Sequence, residues 1–257
     1  MGRRSGQTLV SCRIITIVRF MKNKSKNILI SIGIAVMLIA AILCAVFIPA
    51  PEPSKIYQNN LHSIVEVKAY SEAVGESFGT AEFIDKDGTL ITNAHVVTYT
   101  QLGAVNVFEE YSIRFATEEE YRKAELIKYD TVLDVAVLRL VDISCAFTPM
   151  KLGDSSSLRS GDKVYAIGNA VNYGLSISQG MVGIPLIKIE YAGVIREVIQ
   201  CDLTIAEGNS GGALLDERGR LVGITTFRTK DNAGNVIYGL AYCIPIHIVI
   251  EYVESEN

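Results

Sequence analysis

Tryptophan is absent, proline occurs six times and histidine three times in 257 residues. So few prolines, with 21 glycines against a hydrophobic fraction of 49%, exclude a collagen-like or largely disordered chain. The three histidines, His62, His95 and His247, have no cysteine cluster beside them, so no metal and no cofactor is expected. The cysteines form no disulfide framework either. Cys12 and Cys44 fall in the first 50 residues, and Cys145, Cys201 and Cys243 are an odd set at spacings that fit neither zinc nor paired bridges. They read as small buried hydrophobes.

The most informative absence is of acid. Met1 to Ala50 contains no Asp or Glu, while its seven basic residues (Arg3, Arg4, Arg13, Arg19, Lys22, Lys24 and Lys26) all precede Ile28. The 28 acidic and the other 17 basic residues therefore follow Ala50, and the chain's modest −4 joins a basic stub to a body of net charge −11. An acidic body argues against a nucleic-acid partner. Its roughly 200 residues suffice for one sizeable core or two small barrels.

Ile28 to Ile48 is a run of 21 residues with no charge and with Ser31 as its one polar side chain. A helix of that length spans roughly 30 Å, the thickness of a bilayer core, and has no polar face for a soluble setting. The run is longer than the apolar region of a cleaved signal peptide and ends in bulky Val46-Phe47-Ile48. Leu43 before Cys44 also departs from a lipoprotein signal. The expectation is an uncleaved transmembrane helix over 28–48, with a basic stub, 1–27, held in the cytoplasm and the body outside it. A start at Met21 gives the same topology. Pro49 to Ser54 reads as a stiff extended stalk, placing a stalk over 49–56 and the folded domain over 57–257.

The body reads as all-β. Short runs rich in β-branched residues alternate with turn signals: 63–68, 82–84, 89–92, 111–115, 124–129, 135–140, 164–167, 194–199, 213–215 and 221–225. Asp85-Lys-Asp-Gly88 and Asp216-Glu-Arg-Gly219 each join two of them as hairpins. Many short strands at this spacing suggest a sandwich or barrels. The tail, Pro245 to Glu254, is the one good helical candidate, with Ile246, Ile248, Val249 and Val253 on one face, although so short an apolar run also fits a strand.

Chemistry concentrates in three places. In Glu207-Gly-Asn-Ser-Gly-Gly-Ala213, glycines on both sides of Ser210 allow a tight turn that exposes a hydroxyl and aims amides at one point. A serine nucleophile needs a base. His95 stands where the apolar strand Leu90-Ile-Thr92 gives way to a less regular stretch, whereas His62 and His247 lie near the two edges of the body. The base needs an orienting carboxylate, and Asp134 opens the apolar strand Val135 to Leu140, where a carboxylate is costly to bury without a donor. Asp130 and Asp142 read as turn residues.

These stretches resemble the HtrA (DegP/DegS) family of trypsin-like serine proteases. The resemblance runs through Asp87-Gly88 to Val97, Tyr129 to Leu138, Ala166-Ile-Gly-Asn169, Gln179-Gly180, Asp202 to Leu214 and Gly223-Ile224, over about residues 60–250. It implies two packed six-stranded β-barrels with His95 as base, Asp134 as orienting acid and Ser210 as nucleophile. The N–H groups of Gly208 and Ser210 would form the oxyanion hole, and Thr204, Thr225 and Thr226 would line a P1 pocket for small or medium apolar side chains. It also implies protein or peptide substrates and a homotrimer held by contacts around Ile56-Tyr57. Family members usually carry PDZ domains after the protease domain, and too few residues follow Pro245 for one. Two further departures are Gly79-Thr-Ala81 in place of Gly-Ser-Gly, and Tyr242-Cys243 near the P1 region. The expectation is a membrane-anchored extracytoplasmic serine endopeptidase serving protein quality control or a stress response. The alternatives are a binding or sensing protein on a protease scaffold with little turnover, and a secreted glutamyl-type endopeptidase with the same chemistry and no anchor.

Overall fold

The structure is a computed structural model that describes residues 26, 30–40, 50–191, 193–230 and 236–255. The chain divides into two units, Met1–Ala50 and Pro51–Asn257. In the first, residues 30–40 are helical and exposed. Among the described residues no helix is long and apolar enough to cross a membrane; the rest of the expected span, 28–29 and 41–48, lies outside them.

The second unit opens with a correction to the expected stalk. Helix α1 covers Pro53–Asn60. Proline suits the first helical position, where its missing N–H has no partner to lose. The Glu52 carbonyl accepts from the amides of Lys55 and Ile56, at 2.9 and 3.1 Å. Ile56 is fully buried in the domain, and the Tyr57 hydroxyl donates to the Leu175 carbonyl at 2.7 Å. Residues 53–56 therefore belong to the folded body, and both residues expected at a trimer contact are engaged within their own domain.

Two closed six-stranded barrels follow. The first contains β1 (Ile64–Ser71), β2 (Gly75–Phe83), β3 (Thr89–Thr92), β6 (Glu110–Phe115), β7 (Arg122–Asp130) and β8 (Val135–Leu140), in the order β1-β2-β3-β8-β7-β6. Between β3 and β6 lie a one-turn helix, α2 (Ala94–Val97), and a separate hairpin of β4 (Thr98–Gln101) and β5 (Ala104–Val107). The second barrel is β10-β11-β14-β13-β12-β9. Its strands are β9 (Lys163–Gly168), β10 (Ser176–Tyr191), β11 (Val194–Cys201), β12 (Ala213–Asp216), β13 (Leu221–Lys230) and β14 (Val236–Pro245), and α3 (Ile246–Glu254) closes the chain. Cys201 and Cys243 are unpaired thiols buried in this second barrel.

Strand alternation sorts the side chains. Val65, Val67 and Ala69 of β1 face Ala81 and Phe83 of β2 inside the first barrel, where Phe83 stacks on Phe147 with ring centroids 4.3 Å apart. Ile64 of β1 and Ile91 of β3 lie outside this core and pack with Tyr165, Ile167, Leu215 and Ile224 of the second barrel. Ile246 and Val249 of α3 join that cluster, with Ile248 and Val253 partly buried against it. This layer fixes one barrel against the other.

One residue contradicts the layer's chemistry. Glu82 pairs with both Ile64 and Ile91, is fully buried, and neither carboxyl oxygen has a hydrogen-bond partner among the described residues. Burial pushes its carboxyl well above the usual carboxylate range. The unfolded chain releases this proton near pH 4.3, whereas the folded chain retains it to higher pH. Stability therefore falls as pH rises from the unfolded value to the folded one, then levels off. Glu82→Leu is expected to abolish that slope and stabilise the domain by about 2 kcal/mol at neutral pH. Urea unfolding midpoints of both proteins between pH 4 and 8 measure it.

Candidate active site

Asp134 precedes β8 with φ 59°, left-handed backbone that brings its side chain back toward α2. The residue is 6% exposed and its carboxylate is engaged by several donors. His95 Nδ1 lies 3.0 Å from both oxygens, the His95 amide donates to Oδ1 at 3.1 Å, and the Thr226 hydroxyl donates to Oδ2 at 2.6 Å. Burial is the largest single influence on this carboxyl and raises its pKa. The hydrogen bond and charge of His95, with the Thr226 hydroxyl and the His95 amide, together outweigh it and leave the pKa below the ordinary value. An ionised carboxylate only accepts, so Nδ1 carries a proton, and in the neutral imidazole the lone pair lies on Nε2.

Ser210 sits in a turn that only glycine permits on either side. Gly208 has φ +89° and Gly211 φ +78°. A Cβ at Gly208 would strike the Asn169 carbonyl, and one at Gly211 would strike the Thr80 carbonyl and the Thr92 hydroxyl. The Asn209 amide donates to Ala206 at 3.1 Å and the Gly212 amide to Asn209 at 2.8 Å, closing the turn. The amides of Gly208 and Ser210 find no acceptor among the described residues. The Ser210 hydroxyl itself donates to the Thr226 carbonyl at 3.4 Å.

His95, Glu207 and Ser210 line two adjoining clefts. One, of about 610 Å³, is walled by Tyr99 and Val105 of the β4–β5 hairpin and by Tyr191, Ile205 and Phe227. The other, of about 500 Å³, is bounded by Phe78, Val171, Asn172 and Gly208. The clefts share His95, Glu207 and Ser210, so a hydroxyl and an imidazole lie where the two adjoin, with Gly208 lining the smaller one.

Residues 79–224 match the trypsin-like peptidase domain. The serine endoprotease DegS of Haemophilus influenzae is 31% identical over 210 residues, covering 79% of this chain and 57% of the relative. A probable periplasmic DegP-like serine endoprotease of Bartonella henselae is 36% identical over 169 residues, covering 66% of this chain and 31% of the relative. Among solved structures, the HtrA-type protease AlgW with a tripeptide superposes with a TM-score of 0.67 at 25% identity, covering 80% of this chain and 63% of that one.

The chain belongs to the trypsin-like peptidase family.

Its domain is similar to those of HtrA-type serine proteases, and the chain spans under two thirds of these relatives' length. The remaining residues singled out in this trypsin-like peptidase take varied positions. His247 Nδ1 bonds the Ser155 hydroxyl at 2.7 Å, anchoring α3, and Asp130 and Asp142 cap turns through backbone amides. Thr204 is exposed, accepts from Ser178 at 3.5 Å through its carbonyl and borders neither cleft. Thr225 is buried, its hydroxyl donated to the Asn209 carbonyl. Thr226 reaches the larger cleft, but its hydroxyl faces Asp134. The walls are aromatic instead. Tyr191 stacks on Phe227 with centroids 3.9 Å apart, and Tyr242 tilts against Phe227 at 5.2 Å. Among the described residues no group of His, Cys, Asp or Glu is placed to hold a metal.

Thr80 was visible in the sequence as the middle of Gly79-Thr-Ala81, without its role. Its hydroxyl donates to the Gly208 carbonyl at 2.8 Å and accepts from the Asn169 amide at 3.0 Å, while its own amide donates to the Ser210 carbonyl at 2.9 Å. One threonine of the first barrel thus ties down both sides of the Ser210 turn. Thr80→Val keeps the shape but strands two buried backbone groups, and is expected to cost about 1–3 kcal/mol. Its kcat should fall roughly tenfold as the turn loosens. Thr80→Ser should restore both, as read by thermal melts and peptide hydrolysis.

Proposed function

We propose that this protein is a membrane-anchored extracytoplasmic serine endopeptidase that hydrolyses peptide bonds through His95, Asp134 and Ser210. The observation that carries the reading is the buried Asp134 carboxylate, which receives Nδ1–H of His95, a residue that lines the same cleft as Ser210. Nε2 takes the Ser210 proton as Oγ attacks the substrate carbonyl, then gives it to the departing amine. The amides of Gly208 and Ser210 receive the oxygen that becomes negative. Water, activated by the same Nε2, then releases the acyl group. The Ser210 hydroxyl rests on the Thr226 carbonyl, so attack requires it to turn from there to Nε2.

The aromatic wall of the larger cleft favours an apolar substrate side chain there. The anchor at 28–48 and the outward-facing body rest on the uncharged run and the seven preceding bases. A role in protein quality control or a stress response, and assembly as a homotrimer, belong to the same reading by likeness to the HtrA-type relatives. Ile56 is internal, so a trimer contact in this region would use Tyr57 and the exposed residues beside it.

The resting Ser210 rotamer gives a definite meaning to the rival binding-protein reading. A fluorophosphonate probe separates the two. The enzyme becomes labelled at Ser210, as mapped by peptide mass; a scaffold that only binds stays unlabelled.

A further inference from the structure

Asp134 is held at its carboxylate by His95 and Thr226, but the backbone that carries it needs holding too. The turn from Asp130 to Asp134 is tied from three directions. Asp130 Oδ1 accepts from the amides of Val132 and Leu133 at 2.7 and 2.9 Å, and Asn93 Nδ2 donates to the Asp134 carbonyl at 2.9 Å. These ties come from the first barrel. The third comes from β11 of the second. Arg196 Nε donates to the Val132 carbonyl at 2.8 Å and its Nη2 to the Thr131 carbonyl at 2.9 Å. The remaining nitrogen, Nη1, donates to the Tyr191 carbonyl at the end of β10 at 3.2 Å.

We propose that Arg196 is a positioning residue, fixing the turn that carries Asp134 and hence the aim of its carboxylate at His95. The inference rests on the triad reading above. Two successive carbonyls turned toward one point repel each other, and a cation with several rigid donors removes that conflict. A guanidinium does so with a planar fork that stays charged at any working pH. Bonds from a charged donor are roughly twice as strong as neutral ones. Asp134 has φ 59°, left-handed backbone that is uncommon for a non-glycine residue and is held here by these ties. Thr226 and Arg196 divide the task. The hydroxyl sets the rotation of the carboxylate, and the guanidinium sets the position of the main chain beneath it.

Arg196 also borders the larger cleft, so contact with substrate is the competing role. The test uses the full chain in detergent micelles, comparing wild type, Arg196→Ala and Arg196→Lys. Three quantities are read: kcat and KM on a peptide substrate, the rate of fluorophosphonate labelling, and the downfield NMR resonance of the His95 Nδ1–H. Misplacing a catalytic group by about 1 Å costs on the order of 100-fold. Arg196→Ala should accordingly lower kcat and labelling roughly 10- to 100-fold with KM within about twofold, and weaken the Nδ1–H resonance. Arg196→Lys should recover part of each loss, because an ammonium reaches some of the three carbonyls. Unchanged kcat and resonance would overturn the proposal, as would a rise in KM alone. Should the alanine variant fail to fold, the lysine variant and Arg196→Gln give the same readings. If wild type neither labels nor turns over, the triad reading fails, and the Nδ1–H resonance still decides whether Arg196 holds Asp134 against His95.

Discussion

Ser210→Ala is expected to lower kcat/KM for peptide hydrolysis by at least about 10⁴-fold while leaving the fold intact. The size follows from the role: without Oγ no acyl-enzyme forms, and what remains is the binding of substrate and the pull of two amides on its carbonyl. The harmlessness to folding follows from the contacts. Oγ makes one long hydrogen bond, 3.4 Å to the Thr226 carbonyl, and the residue is only half-buried. Losing such a bond costs under about 1 kcal/mol, which in a domain of this size moves the melting temperature by about 2–4 °C. Steady-state hydrolysis of a denatured protein or peptide, with a thermal melt alongside, measures both. Cleavage by Ser210→Ala at the wild-type rate would remove the assignment of the nucleophile.

The three residues proposed to react were legible because the chemistry admits so few candidates. With three histidines in the chain, a base had little choice, and a carboxylate opening an apolar strand had to be answered by a donor. Strands were legible wherever alternation was clean, as in Val135 to Leu140. β10 was missed because Gly180, Gly183 and Pro185 interrupt its period, and the strand bends through register shifts between Val182 and Ile187. Proline at 53 was read as extension when it begins a helix, since the residue fits both and only the burial of Ile56 decides. The supporting residues were the least legible. Thr226 meets Asp134 from 92 positions away, Thr80 meets Gly208 from 128, and Arg196 meets Val132 from 64. Each is an ordinary strand residue by type. Its role arises only when one barrel is set against the other, which no local pattern encodes.

Asp134→Asn tests that arrangement most severely, with an expected loss in kcat of about 10⁴-fold. Asparagine tolerates left-handed backbone better than most residues, so the turn at φ 59° should survive the change. Asp134→Ala would not be comparable, since it strands the His95 amide and the Thr226 hydroxyl and strains the turn. In the asparagine variant the side-chain oxygen can still accept from the His95 amide, but its NH₂ then faces Nδ1. The imidazole answers by accepting there and carrying its proton on Nε2, where the lone pair should be. The base is present and correctly placed in the wrong tautomer. The same change leaves a mark on stability. The wild-type carboxyl titrates below its unfolded value, so its contribution is fully present above that value and is lost as pH falls through the folded one. Asp134→Asn should abolish this acid-side loss while leaving untouched the opposite slope that Glu82 imposes as pH rises. Unfolding midpoints from pH 2 to 8 for the two single variants separate the contributions. A kcat for Asp134→Asn within tenfold of wild type would mean that His95 does not depend on this carboxylate for its tautomer.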